Sequence, residues 1–263
     1  MKMSLVISNW NRLVWGSFRC KSLVDSVQWQ DYKDFELIVA DGGSENFEEL
    51  KYNFESYNGD IPMKVVRYDL KKWNRSLMNN VGIRHAKGDY IVISDSDMIF
   101  NKRFMSEISS RASKGVMVEG FSFYLSRAGH KILSKGEIDI YNDFKYIISP
   151  SSNPNKKSKI KSFGRYYKSP GGCQCLHRDI WYYIRGFDER YEGWGYEDYE
   201  LLRRITRRID LPIQVIWTSN LILHQPHKLD IHKRKTGPAN RKLGSKGMNT
   251  NLNGWGGVYY NQV

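Results

Sequence analysis

The sequence predicts a single α/β domain with a mostly parallel central sheet flanked by helices, and three observations carry that reading. Short apolar runs alternate with helix-like stretches through residues 1–100, the pattern of strands joined by right-handed crossovers. A chain of 263 residues with 40% hydrophobic content can build a sizeable core. No apolar run reaches the roughly 18 residues of a membrane-spanning helix, and Met1-Lys2-Met3 leads into "SLVIS", too short for the apolar stretch of a signal peptide.

The elements follow in order. "MSLVIS" reads as the first strand, followed by a helix near 13–28, "ELIVA", a helix near 46–56, "MKVVRY", a helix near 76–86, and "YIVIS". Ligands of such sheets gather beyond the carboxyl ends of the strands. Here those ends read "NWNR" (9–12), "DGGS" (41–44), "DLKKWNR" (69–75) and "DSDM" (95–98). From Val116 the chain continues as "VMVEGFSFYL", then a stretch at 149–162 rich in Ser, Asn, Pro and Lys, read as a mobile loop. "SPGGCQCLH", the helix-like "RDIWYYI", "GFDERYEGWGYEDYELLRR" (186–204), "IQVIW" and "LILHQPH" complete the ordered part. Residues 228–263 are basic, polar and Gly-rich with little to bury, which predicts a flexible tail or a segment that orders on binding.

A net charge of +13 attracts anions of any kind, so it does not choose among nucleic acid, an anionic membrane face, an acidic polysaccharide and a nucleotide diphosphate. Three cysteines make neither a disulfide framework nor a zinc site, and a reducing cytoplasm suits them. Cys173 and Cys175 share one face of a strand and read as small buried hydrophobes.

Three groups could carry chemistry, each with a plainer alternative. The run "YIVISDSDMIF" enters Asp95-Ser96-Asp97, which is either a turn or a pair of carboxylates that bind a hard divalent cation. His224 and His227 flank a proline at a strand end, as exposed polar residues or as imidazoles completing a metal shell with Asp97, a set that suits Mn²⁺ better than Mg²⁺. Glu197, Asp198 and Glu200 open a helix whose buried face would be Leu201, Leu202, Ile205 and Ile209. Acids there complement the helix dipole, and one of them could equally serve as a general base beside an aromatic Gly-Trp-Gly turn.

The segment "SPGGCQCLHRDIWYYIRGFDERYEGWGYEDYELLRRI" resembles the C-terminal galactosyltransferase-type module of glycosyltransferases with the GT-A fold. "WNRSLMNNVGIRHAKGDYIVISDSDMIF" is similar to the corresponding stretch of β-1,4-galactosyltransferase and chondroitin-polymerase type enzymes. With "DGGS", the resemblance spans roughly residues 4–227. It implies a single Rossmann-like GT-A domain: residues 1–100 as the nucleotide-sugar-binding half, 101–227 as the acceptor-binding and catalytic half, and 228–263 as a basic flexible tail.

Residue by residue, the resemblance makes Asp198 the catalytic base, Glu197 a sugar contact and Trp194 part of the sugar platform. It puts Asn11, Arg12, Asp41, Trp73 and Arg75 around the nucleotide, Asp95 near the ribose, and Asp97 with His227 and His224 on Mn²⁺ or Mg²⁺. Tyr196 stands where the family often has glycine. The implied activity is inverting transfer of a hexose or N-acetylhexosamine from a UDP-sugar to a hydroxyl of a glycan or glycoconjugate acceptor. The alternatives are a retaining GT-A transferase of the polypeptide GalNAc-transferase type and, from another class, a basic nucleic-acid-binding protein. No nucleic-acid partner is expected, because Asp95, Asp97, Glu197 and Asp198 would repel one at the strand ends. Without the N-terminal anchor of Golgi relatives the expected type is bacterial or viral. Its expected place is the cytoplasm, or the inner membrane face through the basic tail.

Overall fold

The computed structural model describes residues 2–136, 139, 147, 164–167, 170–193, 195–207, 211–219, 221–227, 231–243 and 251–259. The loop expected at 149–162 therefore lies outside the described residues, as does Trp194.

The predicted alternation is present. Strand β1 (Met3–Asn9) leads to helix α1 (Phe18–Gln28), then β2 (Phe35–Asp41), α2 (Phe47–Glu55), β3 (Met63–Arg67), α3 (Arg75–His85) and β4 (Tyr90–Asp95). Next come β5 (Met98–Phe100), α4 (Phe104–Arg111), β6 (Val116–Gly120), β7 (Ser122–Leu125), α5 (Arg127–Ser134), β8 (Gly164–Tyr167), β9 (Cys173–His177) and α6 (Arg178–Tyr183). Helix α7 (Glu197–Arg207), β10 (Gln214–Thr218), β11 (Ile222–His224), α8 (Ile231–Leu243), β12 (Gly254–Trp255) and β13 (Val258–Tyr259) follow.

Seven strands form the central sheet in the order β10-β6-β9-β4-β1-β2-β3. Every neighbouring pair is parallel except the two that β9 makes, with β4 and with β6. Six carboxyl ends and the start of β9 therefore open on one edge. A second sheet, β5-β11-β7-β8, closes over that edge and carries His224 into it.

Alternation along each strand divides the core in two, because successive side chains leave opposite faces. Leu5, Ile7, Leu37, Val39, Val92, Cys173 and Cys175 pack under α1, α2 and α4. Val6, Ile38, Ala40, Ile91, Ile93 and Met117 pack under α3, α6 and α7. Cys173 and Cys175 are free and buried, as their spacing predicts, and Cys20 is free and buried too. Within α7, Leu201 and Ile205 are buried and Leu202 is half-buried, while Ile209 lies outside the described residues. No helix among the described residues is long and apolar enough to cross a membrane.

In the described part of residues 228–263, the stretch expected to form a tail, several contacts reach the rest of the domain. Trp255 is 3% exposed in the core beneath α3 and α6, with Arg84 over its ring. Asn251 Nδ2 donates to Arg185 O (2.7 Å) and Phe187 O (2.6 Å), and Gly256 N donates to Glu189 Oε1 (2.7 Å). Asn240 Nδ2 in α8 donates to Glu192 O (2.9 Å) and Gly195 O (3.1 Å). One buried indole and a few amide side chains anchor this segment, a mode of attachment that low overall hydrophobicity does not reveal.

Candidate active site

Asn9 at the end of β1 organises the first loop. Its Oδ1 accepts from Arg12 N (3.3 Å) and Leu13 N (3.1 Å), and its Nδ2 donates to Asp41 Oδ2 (2.7 Å). Asp41 is fully buried and also accepts from Gly43 N (3.0 Å), Ser44 N (2.7 Å) and Ser44 Oγ (2.6 Å). Asn11, in the left-handed region at φ 53°, donates its backbone N–H to Ser44 Oγ (2.7 Å), and its Oδ1 accepts from Glu45 N (3.0 Å). These two predicted nucleotide residues thus build the loop that walls the site. Beside it Trp73 stacks on Trp10, with centroids 6.0 Å apart and planes at 24°. Trp10 was available in "NWNR" as an aromatic at a strand end, yet it is absent from the predicted set.

Asn74 caps α3, its Oδ1 accepting from Leu77 N (2.9 Å) and its Nδ2 donating to Glu189 O (2.7 Å). That cap fixes the first residue of the helix, Arg75, whose buried guanidinium gathers three acids from two elements, β4 and α7. Its Nε donates to Asp95 Oδ1 (2.7 Å), and its Nη1 donates to Asp198 Oδ1 (2.7 Å) and Glu197 Oε1 (3.3 Å). One guanidinium thus faces three carboxylates, and Asp198 responds. Burial raises its pKa, Arg75 opposes this, Glu197 and Asp95 raise it again, and it reaches about 7. A carboxyl at that value exchanges protons near neutral pH.

The three acids that open α7 divide. Glu197 and Asp198 enter the Arg75 cluster, whereas Glu200 is held by Arg204 at 3.0 Å in the core. Arg204 also donates to Ile184 O (2.6 Å) and Gly186 O (2.8 Å), so that pair ties α7 to the turn before it. Just ahead of the acids, Tyr196 has φ 75°, a conformation that disfavours any side chain. Glycine would suit it better, and Glu197 and Asp198 follow it directly in the chain.

Gly171, at φ 109°, lies against Asp198 so closely that a Cβ would collide with Oδ2. Its N–H donates to Glu119 Oε1 at 2.7 Å, and Gln174 Nε2 donates to Glu119 Oε2 at 3.2 Å. Glu119 is wholly buried, and burial, reinforced by the Asp198 charge, pushes its pKa well above the usual carboxylate range. It is missing from the predicted residues. The one acid inside "VMVEG" was the available signal.

The second cluster is built differently. Asp97 Oδ1 lies 3.6 Å from His224 Nε2, and its Oδ2 lies 3.4 Å from His227 Nε2 and 4.0 Å from Arg12 Nη1. Asp97, His224 and His227 each offer an atom within 4.8 Å of the others. Burial opposes the Asp97 charge, yet His224, His227, Arg12 and Arg19 outweigh it and lower the pKa. Asp97 Oδ1 and His224 Nδ1 are buried and make no hydrogen bond among the described residues. An oxygen left in that state, with two imidazoles facing the same carboxylate, is a donor set that could hold a divalent cation. Tyr124 lies flat on His224, with centroids 4.1 Å apart and planes at 13°, and fixes the ring.

The chain matches the glycosyl transferase family 2 model over residues 4–191. It belongs to that family. Its fold is GT-A, the fold of solved glycosyltransferase structures. Chondroitin synthase of Escherichia coli is 26% identical to it over 226 residues, 78% of this chain and 32% of that protein. S. aureus TarS 1-349 in complex with UDP-GlcNAc superposes with a TM-score of 0.55 at 13% identity, covering 89% of this chain and 61% of that one. A mannosyltransferase from Pyrobaculum calidifontis in complex with GDP-Man and Mn²⁺ gives a TM-score of 0.58 at 14% identity, covering 94% and 65%. The chain therefore spans about a third of the length of chondroitin synthase and under two thirds of these structural neighbours.

Proposed function

We propose that this glycosyltransferase moves a hexose or N-acetylhexosamine from a UDP-sugar to a hydroxyl of a glycan acceptor, inverting the anomeric carbon. The observation that supports the reading is Asp198, a buried carboxylate bonded to Arg75 at the mouth of the sheet and brought to about pKa 7, in a site that also holds a group able to bind a cation. An inverting transfer needs a base on the face opposite the leaving group. Asp198 would take the proton of the attacking hydroxyl, Arg75 would hold it in place, and Glu197 would contact a sugar.

Asp97, His224 and His227 would hold Mn²⁺ or Mg²⁺, which supplies positive charge against the departing diphosphate. Arg12, 4.0 Å from Asp97, adds charge of the same sign. Trp73 and Trp10 offer aromatic surface for the nucleobase, and the Asn9–Asp41–Ser44 network keeps that wall rigid. In this reading residues 1–100 bind the donor and 101–227 bind the acceptor, with Trp194 in the sugar platform.

Helix α8 ends in Arg241 and Lys242, and its sequence contains no acid, which favours contact with an anionic acceptor or membrane surface. Four carboxylates at the mouth weigh against a nucleic acid in the groove. The test is hydrolysis of UDP- and GDP-sugars with and without Mn²⁺. Metal-dependent release of UDP supports the reading, and release indifferent to metal or confined to GDP-sugars contradicts it.

A further inference from the structure

The mouth of the sheet also carries an aromatic surface that this chemistry does not use. Trp217 in β10, the edge strand, is 41% exposed. Its ring stacks on Phe121 with centroids 4.7 Å apart and planes at 15°. Phe121 N donates to Thr218 O at 3.0 Å, so the backbone beneath the pair is fixed.

The pair lies on the Asp198 side of the site. Trp217 is in register with Glu119, and partners in register leave the sheet on the same face. Glu119 reaches Gly171, and Gly171 abuts Asp198. β6 separates β10 from β9, so Trp217 stands two strand spacings, about 10 Å, from the strand that follows Gly171. Trp10 follows β1, four strand spacings from β10 in the sheet, and Trp73 stacks on it. The stacked pair is thus placed for the acceptor and not for the nucleobase.

Its size also selects the occupant. Trp217 is the one large exposed apolar side chain among the described residues of β10; on its face Val215 is half-buried and Ser219 is exposed and polar. So small a patch falls short of a protein interface, whereas a single flat ring matches the C–H face of a pyranose.

We propose that Phe121 and Trp217 form an acceptor subsite, on which a sugar ring one or two units from the reacting hydroxyl stacks. This rests on the reading of Asp198 as the base, and the test keeps the two apart. Wild type, Trp217→Ala and Trp217→Tyr, each with UDP and Mn²⁺, would be applied to an array of immobilised oligosaccharides. UDP-sugar hydrolysis and melting temperature would be measured on the same samples.

The expected result is that wild type retains a subset of the glycans and Trp217→Ala weakens that binding at least about fivefold, the scale of one aromatic partner. Trp217→Tyr should restore most of it, with hydrolysis equal in all three. Unchanged glycan binding by Trp217→Ala, no binding by wild type, or hydrolysis that falls in parallel with binding would each overturn the subsite. Absence of hydrolysis in wild type would instead count against the transferase reading itself.

Discussion

Asp95 and Asp97 stand two residues apart at the end of one strand, and they join clusters of opposite construction. Asp95 meets Glu197 and Asp198 around Arg75, where each acid has a hydrogen-bonded cation but acids outnumber cations. Asp97 meets two imidazoles and the outer reach of Arg12 with an oxygen left unbonded. At Asp198 burial raises the pKa more than Arg75 lowers it, which suits a proton acceptor near neutrality; at Asp97 the two histidines and two arginines outweigh burial and lower it, which suits a ligand. The balance between burial and surrounding cations separates these two acids.

That contrast breaks most directly at the base. Asp198→Asn keeps a side chain of the same shape and an oxygen for Arg75, but the amide cannot take a proton. Turnover should fall on the order of 10²–10⁴-fold with UDP affinity and melting temperature little changed. In the wild type, turnover should decline as pH drops through about 7, because protonated Asp198 no longer accepts. A melting drop with a proportionate activity loss would return Asp198 to the role of a helix-start residue.

The ligand cluster should respond in the other way. Asp97→Ala is expected to weaken Mn²⁺-dependent binding of UDP-sugar by about 10²-fold or more, since altering even an outer partner of a ligand commonly costs 10–100-fold. Calorimetric titration of UDP with and without the metal would separate this from any effect on the base. An unaltered metal response would remove Asp97 from the ligand set.

A smaller effect is expected at the wall that both clusters share. Trp73→Ala should weaken UDP binding by about 1–3 kcal/mol, the range for loss of a base-stacking ring. An unchanged UDP titration would make the Trp10–Trp73 stack a packing feature alone.

The sequence was most informative where local periodicity and site position coincide. The strand and helix alternation to Asp95, the buried face of α7 and the convergence of Asp97 with His224 and His227 were all legible. What escaped depends on partners distant in sequence. Arg75 was read as a nucleotide residue, but its bonds to Asp198 and Glu197 span 123 and 122 positions. Glu119 looks like a surface acid until β9 places Gly171 against it. The separation of Glu200 from its two neighbours follows from Arg204, one helical turn away, being itself buried. In the tail a single tryptophan does what periodicity would otherwise announce.

The central proposal is that Asp198 serves as base in a single displacement, and the anomeric configuration of the product tests it most directly. Proton NMR of the first product formed from an α-linked UDP-sugar should show a β-linked anomeric signal in wild type, at a rate that collapses in Asp198→Asn. An α-linked product would contradict it, because retention requires no base on the face where Asp198 is proposed to act.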